Sequence, residues 1–206
     1  MAAPRRIGAE TSKTRAALLD RAEELMLEEG YAAVTYRVLA ARAGVTGGLV
    51  QYYFPTLDDL FLAMLERRSA RNLERLRAAL ESRPDEPLRI AWEFSTDEAG
   101  AALLLEFMAL ANHRKTIRAA ILDVIEQTRR AELDALKARW HEYPVPDGLS
   151  AEAMLFLLHE IPKMMLLEQA VGRSAGHREL RKFVEQRLDA VEPRSRTKSR
   201  TRARRT

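Results

Sequence analysis

The chain has no cysteine in its 206 residues, which excludes a disulfide scaffold and any thiolate-ligated zinc and suits a reducing compartment. Aromatic residues make up only 6%, and no apolar run approaches the ~18 residues that a membrane span needs. The first ten residues, MAAPRRIGAE, lack the apolar stretch of a secretory signal. Also missing are a Gly-rich phosphate loop, G-x-S-x-G, H-E-x-x-H and a C-x-x-C pair, the common signatures of nucleotide, acyl-transfer and metal chemistry. The four histidines, His113, His141, His159 and His177, are scattered without metal-ligand spacing. These absences predict a cytoplasmic protein that does not enter a membrane, is not an enzyme, and holds neither cofactor nor metal.

What is present is 47% hydrophobic and 31% charged residues, the profile of a globular chain long enough to bury a core. The net charge of +4 is unevenly spread, because the last thirteen residues, RSRTKSRTRARRT, hold seven Lys or Arg and no acid. Residues 1–193 therefore carry 27 basic against 30 acidic residues. A block of this kind cannot bury enough apolar surface to order itself, so 193–206 is predicted to be disordered. It reads as a nonspecific phosphate-binding arm or as a solubilising terminus with no defined partner.

Apolar residues recur at helical spacing almost everywhere between the termini, and no segment reads as a strand. Leu18, Ala22, Leu25 and Met26 form a stripe on a helix of about 11–29, and Gly30 stands where a left-handed cap would end it. Thr35 can cap a short helix carrying Val38, Leu39 and Ala41, Gly44 permits a sharp turn, and Thr46 can cap the next short helix, which Pro55 ends. Thr56 with Asp59 has the pattern of a capping box opening a long helix, about 57–81. Beyond SRPDEP, further helices are predicted near 86–95, 98–112, 115–141, 150–171 and 175–191. Pro162 lies inside one of them, where it is expected to kink the helix.

Two short helices joined by Ala43, Gly44 and Val45 make a helix-turn-helix, in which the second helix enters the major groove of DNA. Gly47 and Gly48 open that helix and let its backbone approach base edges and phosphates more closely than larger residues would allow. Thr35, Thr46, Tyr52 and Tyr53 supply hydroxyls for phosphate oxygens. Arg37 is the cation of the first short helix placed to reach a base edge or phosphate. Gln51 can read an adenine edge or contact a phosphate, and Phe54 is expected to pack inward.

The string LLDRAEELMLEEGYAAVTYRVLAARAGVTGGLVQYYFPTLDDLFLAML, residues 18–65, resembles the DNA-binding region of the tetracycline-repressor (TetR) family. The shared features are the first helix, the glycine-aromatic break, the T-x-R-x-[IL]-A opening, AGVT and the terminal YF-P. The family often has Lys, Arg or Pro where Gly47 stands, an aromatic where Gln51 stands, and Lys where Leu57 stands, so this chain lacks cationic phosphate contacts. Arg5, Arg6, Lys13 or the basic tail could restore them.

The resemblance implies an all-α fold of about nine helices: an N-terminal arm (1–10), a three-helix helix-turn-helix DNA-binding domain (11–56), a helical ligand-binding and dimerisation domain (57–192), and the tail (193–206). It implies a homodimeric repressor, cytoplasmic and nucleoid-associated, released from a palindromic double-stranded operator by a small apolar or amphipathic effector. The alternative is a nonspecific or architectural DNA binder acting through its tail. The apolar circumference of AMLFLLHEIPKMMLLEQA independently allows helix pairing between subunits, with Leu155, Leu158, Leu166, Phe183 and Leu188 as the expected seam. Trp92, Phe107, Met108, Phe156 and Met165, with Asn112, His113 and His159 as sparse polar groups, read as either an effector pocket or plain core.

Overall fold

The computed structural model describes residues 13–145 and 148–193. The predicted arm 1–10, with Arg5 and Arg6, and the basic tail from 194 lie outside the described residues. Among those described there are nine α-helices and no strand. The first is α1 (Lys13–Glu29), which buries Leu18, Leu19, Ala22, Leu25 and Met26 along one face. Gly30 ends it with φ 83 and ψ 166, a positive φ that favours glycine but not the left-handed helical cap expected. One 3-10 turn later comes α2 (Tyr36–Ala43), capped by Thr35, whose hydroxyl accepts from the Val38 N–H. Gly44, at φ 66 and ψ 32, makes the left-handed turn into α3 (Gly47–Tyr53), which Thr46 caps through the Leu49 N–H.

α4 (Leu57–Ser82) opens with a complete Thr56–Asp59 capping box and runs 26 residues, about 39 Å at 1.5 Å per residue. α5 (Pro87–Ser95), α6 (Glu98–Ala111) and α7 (Lys115–Lys137) follow, then α8 (Ala151–Ala170) and α9 (His177–Val191). α7 stops short of the expected 141 because the chain must turn to send Tyr143 inward, where it is buried. The Tyr143 hydroxyl donates to Glu192 at 2.5 Å.

Two apolar clusters organise these helices. The first joins α1, α2, Val50 and Phe54 to the near half of α4, to α6 through Leu103 and Phe107, and to the start of α7 through Ile117 and Ile121. Its residues lie on both sides of the predicted boundary at 56/57. The second packs Leu88 and Trp92 of α5 with Leu136, Tyr143, α8 and α9. Its end is closed by Glu192, whose carboxylate accepts from the Leu88 and Arg89 N–H groups at 2.9 and 2.7 Å. Those are donors that the first turn of α5 would otherwise leave unpaired. The Arg89 guanidinium donates back to the Glu192 carbonyl at 2.6 Å and faces Asp189 at 2.9 Å. Burial pushes the Glu192 carboxyl above its ordinary range, against the hydrogen bonds from Tyr143, Leu88 and Arg89.

Candidate nucleic-acid interface and internal cavity

α3 is held from beneath and open on top. Val50 and Phe54 are buried in the first cluster, and the Tyr36 hydroxyl donates to the Phe54 carbonyl at 2.8 Å, tying the start of α2 to the end of α3. Desolvation, reinforced by Asp59, raises the Tyr36 phenol pKa, so it stays a neutral donor. The Arg15 guanidinium lies 5.1 Å from the centre of the Phe54 ring. On the outer side Thr46, Gly47, Gly48 and Gln51 are exposed, as are Thr35 and Arg37 on the flanking α2. Tyr52 is 54% exposed, and its ring meets Tyr53 edge-on at 5.2 Å.

Gly47 and Gly48 are informative because the fold does not require them. Neither has a positive φ, and a Cβ added at either would meet nothing within 4 Å. Glycine in a helix interior costs up to about 1 kcal/mol relative to alanine and less in the first turn, where this pair stands, so the pair weakens α3 with no compensating contact inside the chain. Nearby charge is sparse. Arg42 is neutralised by Glu28 and Glu29, while Arg37 makes no hydrogen bond or ion pair among the described residues.

An internal cavity of about 130 Å³ lies between α4, α5, α6, α7 and α8. Its apolar wall includes Leu65, Leu104, Phe107, Val124 and Ile125, and its polar wall includes Arg68, Asn72, Asp97, Arg129, His159 and Lys163. His159 is fixed on both sides of its ring. Nδ1 lies 3.0 Å from the Ser95 hydroxyl and Nε2 lies 2.7 Å from Glu132. Glu132 is itself buried, and its second carboxylate oxygen has no partner. Lys163 is held by Glu160 at 2.7 Å.

Two helices that line this cavity also hold the helix-turn-helix, each through a residue next to a lining one. On α4, Arg68 faces the cavity while Arg67 bonds the Ala16 carbonyl and pairs with Asp20 and Glu23 of α1 at 2.8 and 2.6 Å. On α6, Phe107 faces the cavity while Glu106 accepts from the Tyr31 N–H at 2.8 Å, just before α2. That carboxylate lies 3.4 Å from where a Cβ of residue 30 would stand, a second reason for glycine there. A third tie joins the start of α4 to α7. Asp58 accepts from Thr116 at 2.8 Å and pairs with Arg114.

Residues 18–64 match the family model for bacterial regulatory proteins of the tetR family. The chain is also 30% identical over 141 residues to BepR, an HTH-type transcriptional repressor of Brucella suis biovar 1 (strain 1330). Residues 18–64 therefore carry the DNA-binding region of the TetR family. The match to BepR spans 64% of this chain and 65% of that protein. Solved structures extend the fold likeness over most of the chain. One is a regulator from Saccharomonospora viridis in complex with choline, with a TM-score of 0.68, 18% identity, and coverage of 85% of this chain and 97% of that one. Another is FadR of Bacillus subtilis in complex with stearoyl-CoA, with a TM-score of 0.62, 16% identity, and coverage of 88% and 99%.

Within this TetR-family fold, the residues expected to bind DNA all lie on or beside the open side of α2 and α3, with Tyr53 partly buried. Leu57 is half-buried and packs on the first cluster. The expected pocket residues scatter. Phe107 and His159 line the cavity, but Trp92 is packed into the second cluster, and Met108, Asn112 and His113 are exposed at the end of α6 and just beyond it. α6 turns Gly100, Leu104 and Phe107 to the cavity, so Met108, a further 100° round the helix, falls off that face. Met165 is buried beside Pro162 at a separate small cavity, and Phe156 is 58% exposed.

The expected seam is corrected as well. Leu155, Leu158 and Leu188 are buried inside the chain's own second cluster, and Leu166 is half-buried. Of that set Phe183 is exposed, and the other large apolar side chains exposed on α8, at its end and on α9 are Phe156, Leu157, Met164, Leu167, Val171 and Leu180. Sequence reasoning missed Arg68, Asn72, Thr128 and Arg129 because charged and polar residues on long helices read as solvated surface. The i, i+4 spacing of Arg68 and Asn72 on the face that also carries Leu65 was the available signal.

Proposed function

We propose that this TetR-family chain is a homodimeric, sequence-specific DNA-binding repressor, cytoplasmic and nucleoid-associated, released from a palindromic operator when a small molecule occupies the internal cavity. The observation that carries the reading is the glycine pair at the front of α3, which destabilises the helix and meets nothing in the fold. Close approach of a rigid partner to that surface would offset the loss. On this reading α3 enters the major groove, with Gln51 at base edges and Thr35, Arg37, Thr46, Tyr52 and Tyr53 on the backbone. The absence of a Lys or Arg on α3 itself leaves phosphate affinity to Arg37, Lys13 and the terminal segments.

Release rests on the adjacent pairs Arg67/Arg68 and Glu106/Phe107. An occupant that moves α4 or α6 at the cavity moves the anchors of α1 and α2 with it, and it shifts the equilibrium only by its differential affinity for the two states. The outer apolar side chains of α8 and α9 are the proposed dimer face. BepR being a repressor supports the direction of control, and the choline and stearoyl-CoA complexes support an occupied ligand domain. The test is selection of bound fragments from a randomised DNA library by the full-length protein at physiological salt. An enriched inverted repeat is expected. Binding without enrichment that fades as salt rises would overturn the reading in favour of a nonspecific binder.

A further inference from the structure

The cavity wall has an imbalance of charge. Three cations line it, Arg68, Arg129 and Lys163, against one carboxylate, Asp97. Lys163 is answered by Glu160, and the ring of His159 is occupied by Ser95 and Glu132. Arg68 and Arg129 are half-buried, and neither makes a hydrogen bond or ion pair among the described residues. A guanidinium withdrawn from water without an acceptor is unfavourable, and two such groups from two helices, α4 and α7, face one space.

Glycine keeps part of that space open. A Cβ on Gly100 would lie 2.9 Å from the Arg68 guanidinium and 2.8 Å from the Asp97 carboxylate, so any larger residue would press on the arginine from below. The same wall also carries the apolar side chains Leu65, Leu104, Phe107, Val124 and Ile125. The volume, about 130 Å³, corresponds to on the order of ten waters, enough for a small molecule with a short apolar body. A planar guanidinium fork is suited to a carboxylate or phosphate, which it can hold through two parallel bonds.

We infer that the cavity takes a small amphipathic anion, its carboxylate or phosphate head held by Arg68 and Arg129 and its apolar body lying against Leu104, Phe107 and Ile125. This rests on the reading of the cavity as the effector site and adds the chemical class of the effector. The solved relatives do not decide that class, since choline is a cation and stearoyl-CoA an anion.

The experiment is calorimetric titration of the full-length protein at neutral pH with four probes of equal chain length: octanoate, octyl phosphate, octanol and octylammonium. At least one anion is expected to bind one per subunit, about tenfold or more tighter than octanol and octylammonium. The better of the two anions identifies the head group. Arg68→Met and Arg129→Met should each weaken the anion about tenfold. Arg68→Lys, which keeps the charge but loses the fork, should fall between and guards against a methionine variant that misfolds. Octylammonium or octanol binding as tightly as the anions, no probe binding, or anion affinity unmoved in the arginine variants would each overturn the inference.

Operator release, read in parallel, separates this from the regulatory reading. Release by octanol or octylammonium alone would overturn the anion class and leave the regulator standing. Arginine-dependent anion binding without any change in operator affinity would uphold the anion and remove its role as effector.

Discussion

The outer side of α3 and the outer side of α8 and α9 are both at odds with an isolated chain in water, in opposite ways. On α3 the side chains are too small: two glycines in helical conformation with open space before them. On α8 and α9 they are too large and apolar, with Met164 59% and Val171 81% exposed. Small side chains without an internal reason suit a rigid, polar partner whose surface must come close. Large apolar ones without cover suit a partner that buries area and excludes water.

The largest effect is expected from charging the apolar side. Phe156→Asp with Met164→Asp should convert a dimer to a monomer in sedimentation and lower operator affinity by about 10²–10⁴-fold, the loss expected when two linked contacts become one. A dimer that survives would move the subunit face elsewhere. Next in size, Leu158→Ala should cost about 2–5 kcal/mol of unfolding free energy with the dimer stoichiometry unchanged, because Leu158 is buried within its own chain. Loss of the dimer without loss of stability would restore Leu158 to the seam. On the other side, Gly47→Ala or Gly48→Ala should raise stability by up to about 1 kcal/mol while operator affinity drops about tenfold, ~1.4 kcal/mol. Stability and binding rising together would show that nothing approaches those residues.

The smallest effect concerns the tie between the start of α4 and α7. Thr116 and Arg114 hold the Asp58 carboxyl below its ordinary range. A carboxyl depressed in the folded state contributes stability above the unfolded value of about 4, and that contribution disappears as pH falls through the lower folded value. Asp58→Asn should therefore cost less than about 1 kcal/mol at neutral pH. Thermal melts should show the gap closing in acid, and a gap that widens there would contradict the assigned pairing.

Local chemistry made much of this legible in advance. Thr35, Thr46, the Thr56–Asp59 box and Gly44 each act within three or four residues, so the caps and the turn of the DNA-binding half could be placed from spacing alone. The seam and the pocket depend on which face of a long helix meets which neighbour. Leu155 and Phe156 differ by one residue and about 100° of helix, and only packing in the second cluster decides that the leucine is inside and the phenylalanine outside. Glu192 was hidden for a related reason: its partners Leu88, Arg89 and Tyr143 are distant in sequence, and an acid beside a basic tail gives no sign that it will be buried.

The adjacency of Arg67 and Arg68 on one helix has a thermodynamic consequence for the proposed regulator. If occupancy at Arg68 weakens the hold of Arg67 on α1, linkage requires the reverse in equal measure, so that DNA weakens effector binding by the same factor that effector weakens DNA binding. The effector concentration needed for half-saturation would then differ between a cell with many free operators and one with few. Dose–response curves taken with and without operator DNA would be displaced by one common factor.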